Sequence, residues 1–84
     1  MYDPNTWKRW GLQVADRTLR SGTVWRHYKG GTYQLICVAR HEDPKISEPL
    51  AIYRQSDGLD YWAQSQSNFL GEWEPGHHRF WRVR

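Results

Sequence analysis

The glycine pair Gly30-Gly31 constrains the fold more than any other feature, because it separates two segments of β character. Glycine tolerates the positive φ angles that a tight hairpin turn requires. The pattern predicts a strand over residues 23–28, a hairpin turn over 29–32 and a returning strand over 33–40. The returning strand is apolar on both faces, which predicts a central place in a sheet and a buried side chain for Cys37.

Further short β segments follow at roughly ten-residue spacing, separated by turns that contain Gly, Pro or Asp. Residues 50–55, 59–63 and 79–83 are predicted as strands, and residues 65–69 as a helical turn. Such spacing is typical of a small barrel or a sharply curved sheet. The predicted fold is therefore mainly β, a small SH3-like barrel or curved antiparallel sheet with an N-terminal α-helix.

The N-terminal segment, residues 3–20, differs from the rest and predicts that helix. Asp3 is a candidate N-cap and Pro4 fits the first helical position. Apolar residues recur at helical steps, and they are Trp7, Trp10, Val14, Ala15 and Leu19. A strand is the alternative, because Gly11 interrupts the helical pattern. The chain is expected to form a single domain over 1–84, with the helical segment 3–20 and a β domain over 22–84.

Composition limits the core and the partners of this domain. A chain of 84 residues has room for one small core, and its six Trp, five Tyr and two Phe must supply much of the burial. The net charge of +3 favours anionic partners. One cysteine and the absence of a zinc-ligand pattern predict no disulfide, metal or other cofactor. No segment is apolar enough to span a membrane, so a soluble, cytoplasmic protein is expected.

The run from Trp25 to Tyr33 alternates cationic and aromatic side chains before the glycine turn and predicts a ligand site. Backbone N–H groups freed by the glycines would hold a phosphate or carboxylate with the nearby cations, while a ring stacks on the ligand. Later strands would add neighbours to this site. The predicted ligand-binding residues are Trp25, Arg26, His27, Tyr28, Lys29, Arg40, His41, Tyr53, Arg54, Trp62 and Arg79. The alternative is that the rings fill the core and the cations form a solvated edge.

A set of blocks occurs in a fixed order along the chain, namely Gly22, Arg26-His27-Tyr28-Lys29-Gly30-Gly31, Tyr33, Val38-Ala39-Arg40-His41, Ile52-Tyr53-Arg54, Trp62, Phe69 and Arg79-Phe80. In this order the blocks resemble a small bacterial and phage domain family of unknown function. The resemblance covers about residues 22 to 82 and implies a compact β domain with a shared site, but no reaction. The family usually has an Arg-Pro pair where this chain has Gln64 and Ser65, and residues 72–78 also depart from its pattern.

A non-enzymatic binding module for a phosphate-bearing ligand is the leading hypothesis for function. The ligand would be a nucleotide or single-stranded nucleic acid, and the resemblance to a family found in phages adds a signalling nucleotide sequestered by a phage protein. The alternative is a protein-interaction domain that uses exposed aromatic rings, in the manner of a phage inhibitor of a host protein. A homodimer through Trp7 and Trp10 is compatible with both. An enzyme ranks last, because no nucleophile or paired carboxylate accompanies the histidines.

Overall fold

The protein is mainly β, and its main sheet is antiparallel and open. The structure, a computed structural model, describes residues 14–84. Its elements in chain order are β1 (Val24–His27), β2 (Thr32–Ala39), β3 (Leu50–Gln55), β4 (Tyr61–Ser65), helix α1 (Gln66–Leu70), β5 (Glu72–Glu74), β6 (His77–His78) and β7 (Phe80–Arg82). The main sheet has the order β4-β3-β2-β1-β7, and every neighbouring pair is antiparallel. Strands β5 and β6 form a separate hairpin.

The prediction of an SH3-like barrel is wrong, because the sheet does not close. Strands β4 and β7 form its two edges, and among the described strands they do not pair with each other. The chain between them forms α1 and the β5–β6 hairpin instead of a closing strand pair. A helix packed on one face therefore buries the core in place of an opposing sheet.

The main hydrophobic cluster lies on one face of the main sheet, under α1. The buried cluster consists of Trp25, Leu35, Ala51, Tyr53, Phe69 and Phe80. Phe69, fully buried, is the side chain that α1 contributes to this cluster. Its ring stacks on Phe80 with centroids 4.1 Å apart and meets Trp25 edge-on at 5.2 Å. We call this side of the sheet the core face and the opposite side, which carries Arg26 and Arg54, the outer face.

A bulge in β2 changes which side chains face the core. The register with β3 shifts between Leu35 and Cys37, so the intervening Ile36 has no counterpart on β3. The Ile36 carbonyl instead accepts a hydrogen bond from the Ser21 hydroxyl. An extra residue reverses the alternation of a strand, and Cys37 is exposed. The prediction of a buried Cys37 is therefore wrong, whereas the central position of β2 is confirmed.

The predicted N-terminal helix over residues 3–20 is not supported. Residues 14–20 form no helix, and residues 3–13 lie outside the described residues. The predicted dimer anchors Trp7 and Trp10 also lie outside them, so that dimer stays a prediction.

Contacts with distant parts of the chain explain why residues 14–20 are not helical. The Val14 N–H donates to the Arg82 carbonyl at 2.9 Å, which places the segment beside β7. The Asp16 carboxylate accepts a hydrogen bond from the Thr18 N–H at 2.9 Å, an interaction typical of local turns. Arg17 then bonds to two carbonyls across the core face. These contacts outweigh the helical periodicity of the apolar residues.

The remaining predicted elements agree well with the structure. Strand β3 spans the predicted residues 50–55, and the helical turn predicted over 65–69 is α1. Ser65 caps α1, since its hydroxyl accepts a hydrogen bond from the Asn68 N–H. The β5–β6 hairpin was not predicted, because strands of three and two residues are too short to show alternation. No helix within residues 14–84 is long and apolar enough to cross a membrane.

Candidate functional site

The β1–β2 turn is closed by hydrogen bonds to His27. The His27 carbonyl accepts from the Gly30 N–H at 2.8 Å, and the His27 N–H donates to the Gly31 carbonyl at 3.1 Å. The imidazole Nδ1 accepts from the Lys29 N–H at 3.1 Å. Gly30 and Gly31 have φ angles of 99° and 91°, which only glycine adopts without strain. Because the amides of Lys29 and Gly30 are engaged within the turn, any anion held here contacts mainly side chains.

Aromatic rings stack beside this turn. Tyr28 stacks on Trp73 of β5 with centroids 4.9 Å apart and planes 4° apart. The Lys29 ammonium lies 5.7 Å from the Tyr28 ring centroid. The His27 ring lies 4.6 Å from Tyr28 and 4.7 Å from Phe80. The result is a layered group of partly exposed rings with a cation at its edge.

Trp73 was not among the predicted site residues. Two sequence signals pointed to it: its place among the aromatic residues that must divide between core and surface, and its position within residues 72–78, which differ from the pattern that the resemblance implies. The β5–β6 hairpin carries Trp73 to the turn, and the Tyr28 N–H donates to the Arg79 carbonyl at 2.9 Å just after that hairpin. We call the group of His27, Tyr28, Lys29, Trp73 and Arg79 the turn site.

The turn site is electrostatically positive. Burial lowers the pKa of His27 from its ordinary value, and the charges of Lys29 and Arg79 lower it further. Within residues 14–84 the ion pairs join Asp16 to Arg20 and Arg82, and Glu74 to His77, and none of these pairs involves Lys29 or Arg79. Two cations beside a half-buried imidazole, with no carboxylate of residues 14–84 in an ion pair with them, favour an anionic ligand.

Lowering the pH from about 7.5 to about 5.5 is expected to destabilise the protein. The pKa of His27 is lowered in the fold, and the pKa of His78 is lowered by burial and then by Arg17, with Glu72 opposing. In the unfolded chain these two histidines become protonated near pH 6.5, whereas in the folded protein they become protonated only at lower pH. The unfolded state therefore binds more protons in this range. Stability therefore falls as the pH falls through about 6.5 towards the lower folded pKa values. Urea denaturation across this range measures the effect.

Replacing each histidine separately assigns the pH effect. His27→Phe and His78→Phe should each reduce the pH dependence of the urea midpoint, and the double variant should reduce it most. The carboxylates whose pKa is lowered, Asp16 and Glu48, lose their contributions only in more acidic solution, below about pH 4.5. A double variant that keeps the full pH dependence of the wild type contradicts the assignment.

Arg26 and Arg54 lie on the outer face, away from the turn site. Alternation along β1 places Arg26 and His27 on opposite faces. The Arg26 guanidinium donates to the Thr32 hydroxyl at 3.0 Å, and burial lowers its pKa. Arg54 pairs in register with Gln34, and its Nε is buried without a hydrogen-bond partner among the described residues. The structure therefore separates these two predicted site residues from His27.

Arg40 and His41 lie at the other end of the sheet. Strand β2 is eight residues long and separates them from the turn, a distance of about 26 Å along an extended strand. His41 takes part in a local interaction, because its Nδ1 accepts from the Asp43 N–H at 2.9 Å. The expected meeting of this pair with the glycine turn does not occur, and ligand binding by Arg40 and His41 stays a separate prediction.

Two predicted site residues lie in the core, and a third lies at a sheet edge. Trp25 has no exposed surface, and its indole N–H donates to the Thr23 hydroxyl at 2.8 Å. Tyr53 is 9% exposed, and burial raises the pKa of its hydroxyl. Trp62 is 52% exposed on the edge strand β4. Neither Trp25 nor Tyr53 therefore presents a ring to a ligand in this structure.

Gln64 and Ser65, the positions where the resemblance implies an Arg-Pro pair, have structural roles in this chain. The Gln64 amide donates to the Tyr53 hydroxyl at 2.8 Å and accepts from the Asn68 amide at 2.9 Å. Ser65 caps α1. These two positions therefore hold the helix against the sheet, and neither lies in the turn site.

Comparison with known proteins gives one finding. The model of a family described as "Protein of unknown function (DUF1653)" matches residues 23–82. This extent confirms the resemblance to a family of unknown function. No curated protein and no solved structure matches the chain.

Proposed function

We propose that this chain, which belongs to the DUF1653 family, is a non-enzymatic binding module that holds a nucleotide at the turn site. The positive charge of Lys29 and Arg79 beside the half-buried His27 supports this most directly. These side chains would contact the phosphate, and the Tyr28–Trp73 stack would accept the base. The ligand is thus defined by an anionic group and a flat ring within reach of each other.

A small nucleotide fits the turn site better than a long single strand. Binding along a nucleic-acid backbone requires a cationic groove that follows the strand. The turn-site cations lie at one end of the sheet, while Arg40 lies about 26 Å away beyond β2. Arg26 and Arg54 lie on the outer face. A compact phosphate-bearing ring compound needs no such continuous groove.

Calorimetric titration with nucleotides tests this proposal. Mononucleotides and cyclic nucleotides should bind. Inorganic phosphate lacks the base and a nucleoside lacks the phosphate, so each of these should bind more weakly. Lys29→Ala and Arg79→Ala should each weaken nucleotide binding about fivefold to tenfold. The matched controls Lys45→Ala and Arg40→Ala lie outside the turn site and should leave binding unchanged. No binding by any nucleotide, or binding that ignores Lys29 and Arg79, would refute the proposal.

Salt dependence and histidine titration refine the test. Nucleotide affinity should change little between about 0.05 and about 0.3 M salt, while binding of a long oligonucleotide would fall steeply. A bound phosphate should raise the pKa of His27, because it offsets the two positive charges that lower it. An NMR titration of the His27 ring with and without nucleotide measures that change. A pKa of His27 that does not move on binding would place the phosphate elsewhere.

A further inference from the structure

The edge strand β4 exposes an unusual set of apolar side chains. Tyr61 is 61% exposed and Trp62 52% exposed, and Leu59, just before the strand, is 92% exposed. Ala63 is exposed as well. Scattered exposed apolar residues are common, but a run of them along one sheet edge indicates an interaction surface. We call residues 59–63, together with the side of β4 that points away from β3, the β4 edge.

Within residues 14–84, the β4 edge also lacks the features that usually protect an edge strand. It pairs with β3 on one side and with no described strand on the other. Residues 61–65 contain no proline and no charged residue, and the β3–β4 register is regular. Natural edges are usually blocked by such residues, by bulges or by covering chain. At the opposite edge, by contrast, the segment at Val14 bonds to Arg82 of β7.

The charges beside β4 indicate which partner would fit. Asp57 and Asp60 precede the strand and are exposed, and neither takes part in an ion pair within residues 14–84. No Lys, Arg or His occurs from Asp57 to Ser65. The Tyr61 and Trp62 rings offer faces that attract Lys and Arg side chains. Among the described residues, the β4 edge therefore combines backbone groups that pair with no strand, aromatic faces and the two exposed carboxylates of Asp57 and Asp60.

We propose that the β4 edge binds an extended basic segment of a partner protein by strand addition. The partner's backbone pairs with β4 and its Lys or Arg side chains contact Asp57, Asp60 and the exposed rings. Side chains of an added strand alternate between the two faces, so a partner with alternating basic and apolar residues fits best. Strands β3 and β2 separate this edge from β1, so binding here is independent of the turn site.

Synthetic peptides test the proposal directly. An acetylated octapeptide of alternating lysine and valine should bind and should slow hydrogen exchange of the β4 backbone amides. An octapeptide of alternating glutamate and valine should bind at least tenfold more weakly. A basic peptide in which proline replaces two central valines keeps the charge but cannot pair along the strand, and it should lose the exchange protection.

Variants of the chain locate the binding. The double variant Asp57→Asn and Asp60→Asn, and the single variant Trp62→Ala, should each weaken binding of the basic peptide about fivefold. Glu42→Gln and Ile46→Ala change an exposed acid and an exposed apolar residue of the β2–β3 loop and serve as matched controls. Lys29→Ala should leave peptide binding unchanged, which separates this proposal from the one for the turn site.

Three results would overturn the proposal. Equal binding of the basic and acidic peptides would remove the role of Asp57 and Asp60. Equal binding of the proline-containing peptide would exclude strand addition. A dimer in sedimentation equilibrium that Trp62→Ala dissociates would show that a second copy of the chain, and not a basic partner segment, covers the β4 edge.

Discussion

Replacing Phe69 by alanine is expected to lower the free energy of unfolding by about 3–5 kcal/mol. Phe69 is the side chain with which α1 enters the core, and it has no exposed surface. Its ring contacts Phe80 at 4.1 Å, Tyr53 at 5.1 Å and Trp25 at 5.2 Å between centroids. Truncation removes these contacts and leaves a cavity. Since small domains are stable by about 5–15 kcal/mol, a large fraction of the stability would be lost.

Urea denaturation monitored by circular dichroism measures the effect of Phe69→Ala. Phe69→Leu, which refills much of the cavity, should cost clearly less than alanine. Tyr61→Ala removes an aromatic ring of similar size that is 61% exposed, so it should change stability by no more than about 0.5 kcal/mol. If Phe69→Ala costs no more than Tyr61→Ala, α1 does not close the core as the structure indicates.

Replacing Arg17 by methionine is expected to cost about 2–3 kcal/mol of stability. Its guanidinium donates to the Phe80 carbonyl at 2.9 Å and to the Leu70 carbonyl at 3.1 Å, and lies 5.5 Å from the Trp25 ring centroid. Arg17 thereby ties the end of α1 to the start of β7. Burial lowers the pKa of Arg17, a cost that its two hydrogen bonds offset. Methionine keeps the packing over Trp25 but leaves both carbonyls without this donor.

Arg20→Met provides the matched control for Arg17→Met. The Arg20 side chain is 66% exposed, and its ion pair with Asp16 spans 3.8 Å. Exposed pairs of this kind contribute at most about 1 kcal/mol. Arg17→Lys should fall between wild type and Arg17→Met, because a single ammonium cannot reproduce the forked contact with two carbonyls. Equal urea midpoints for Arg17→Met and Arg20→Met would contradict the structural role of Arg17.

The hairpin is the part of the candidate site that the sequence predicts. Gly30-Gly31 indicates the turn, and the adjoining residues place His27 and Lys29 beside it. Other members of the predicted site do not converge there. Arg40 lies beyond the far end of β2, because pairing with β3 keeps that strand extended over eight residues. Local sequence indicates that a strand is present, but not that its two ends are too far apart for one ligand.

Trp73 and Arg17 show why the long-range contacts of the site and the fold could not be predicted from the sequence. Trp73 belongs to a hairpin with strands of three and two residues, and its contact with Tyr28 joins positions far apart in the chain. Arg17 fits the polar face of a helix by periodicity, yet it bonds to carbonyls 53 and 63 residues away. Periodicity describes neighbours within an element, so it carries no information on such long-range contacts.

The sequence by itself determined the local structure: a glycine turn after a cationic and aromatic strand, a central apolar β2, and strand β3 at its observed bounds. These features depend on φ angles and side-chain alternation within a few residues. Only the tertiary structure decided that the sheet stays open, that the β2 bulge exposes Cys37, and that the rings divide between the core, the turn site and the β4 edge. Those outcomes depend on which distant groups donate hydrogen bonds to each carbonyl and which side chains pack on each ring. Both are determined only when the whole chain packs together.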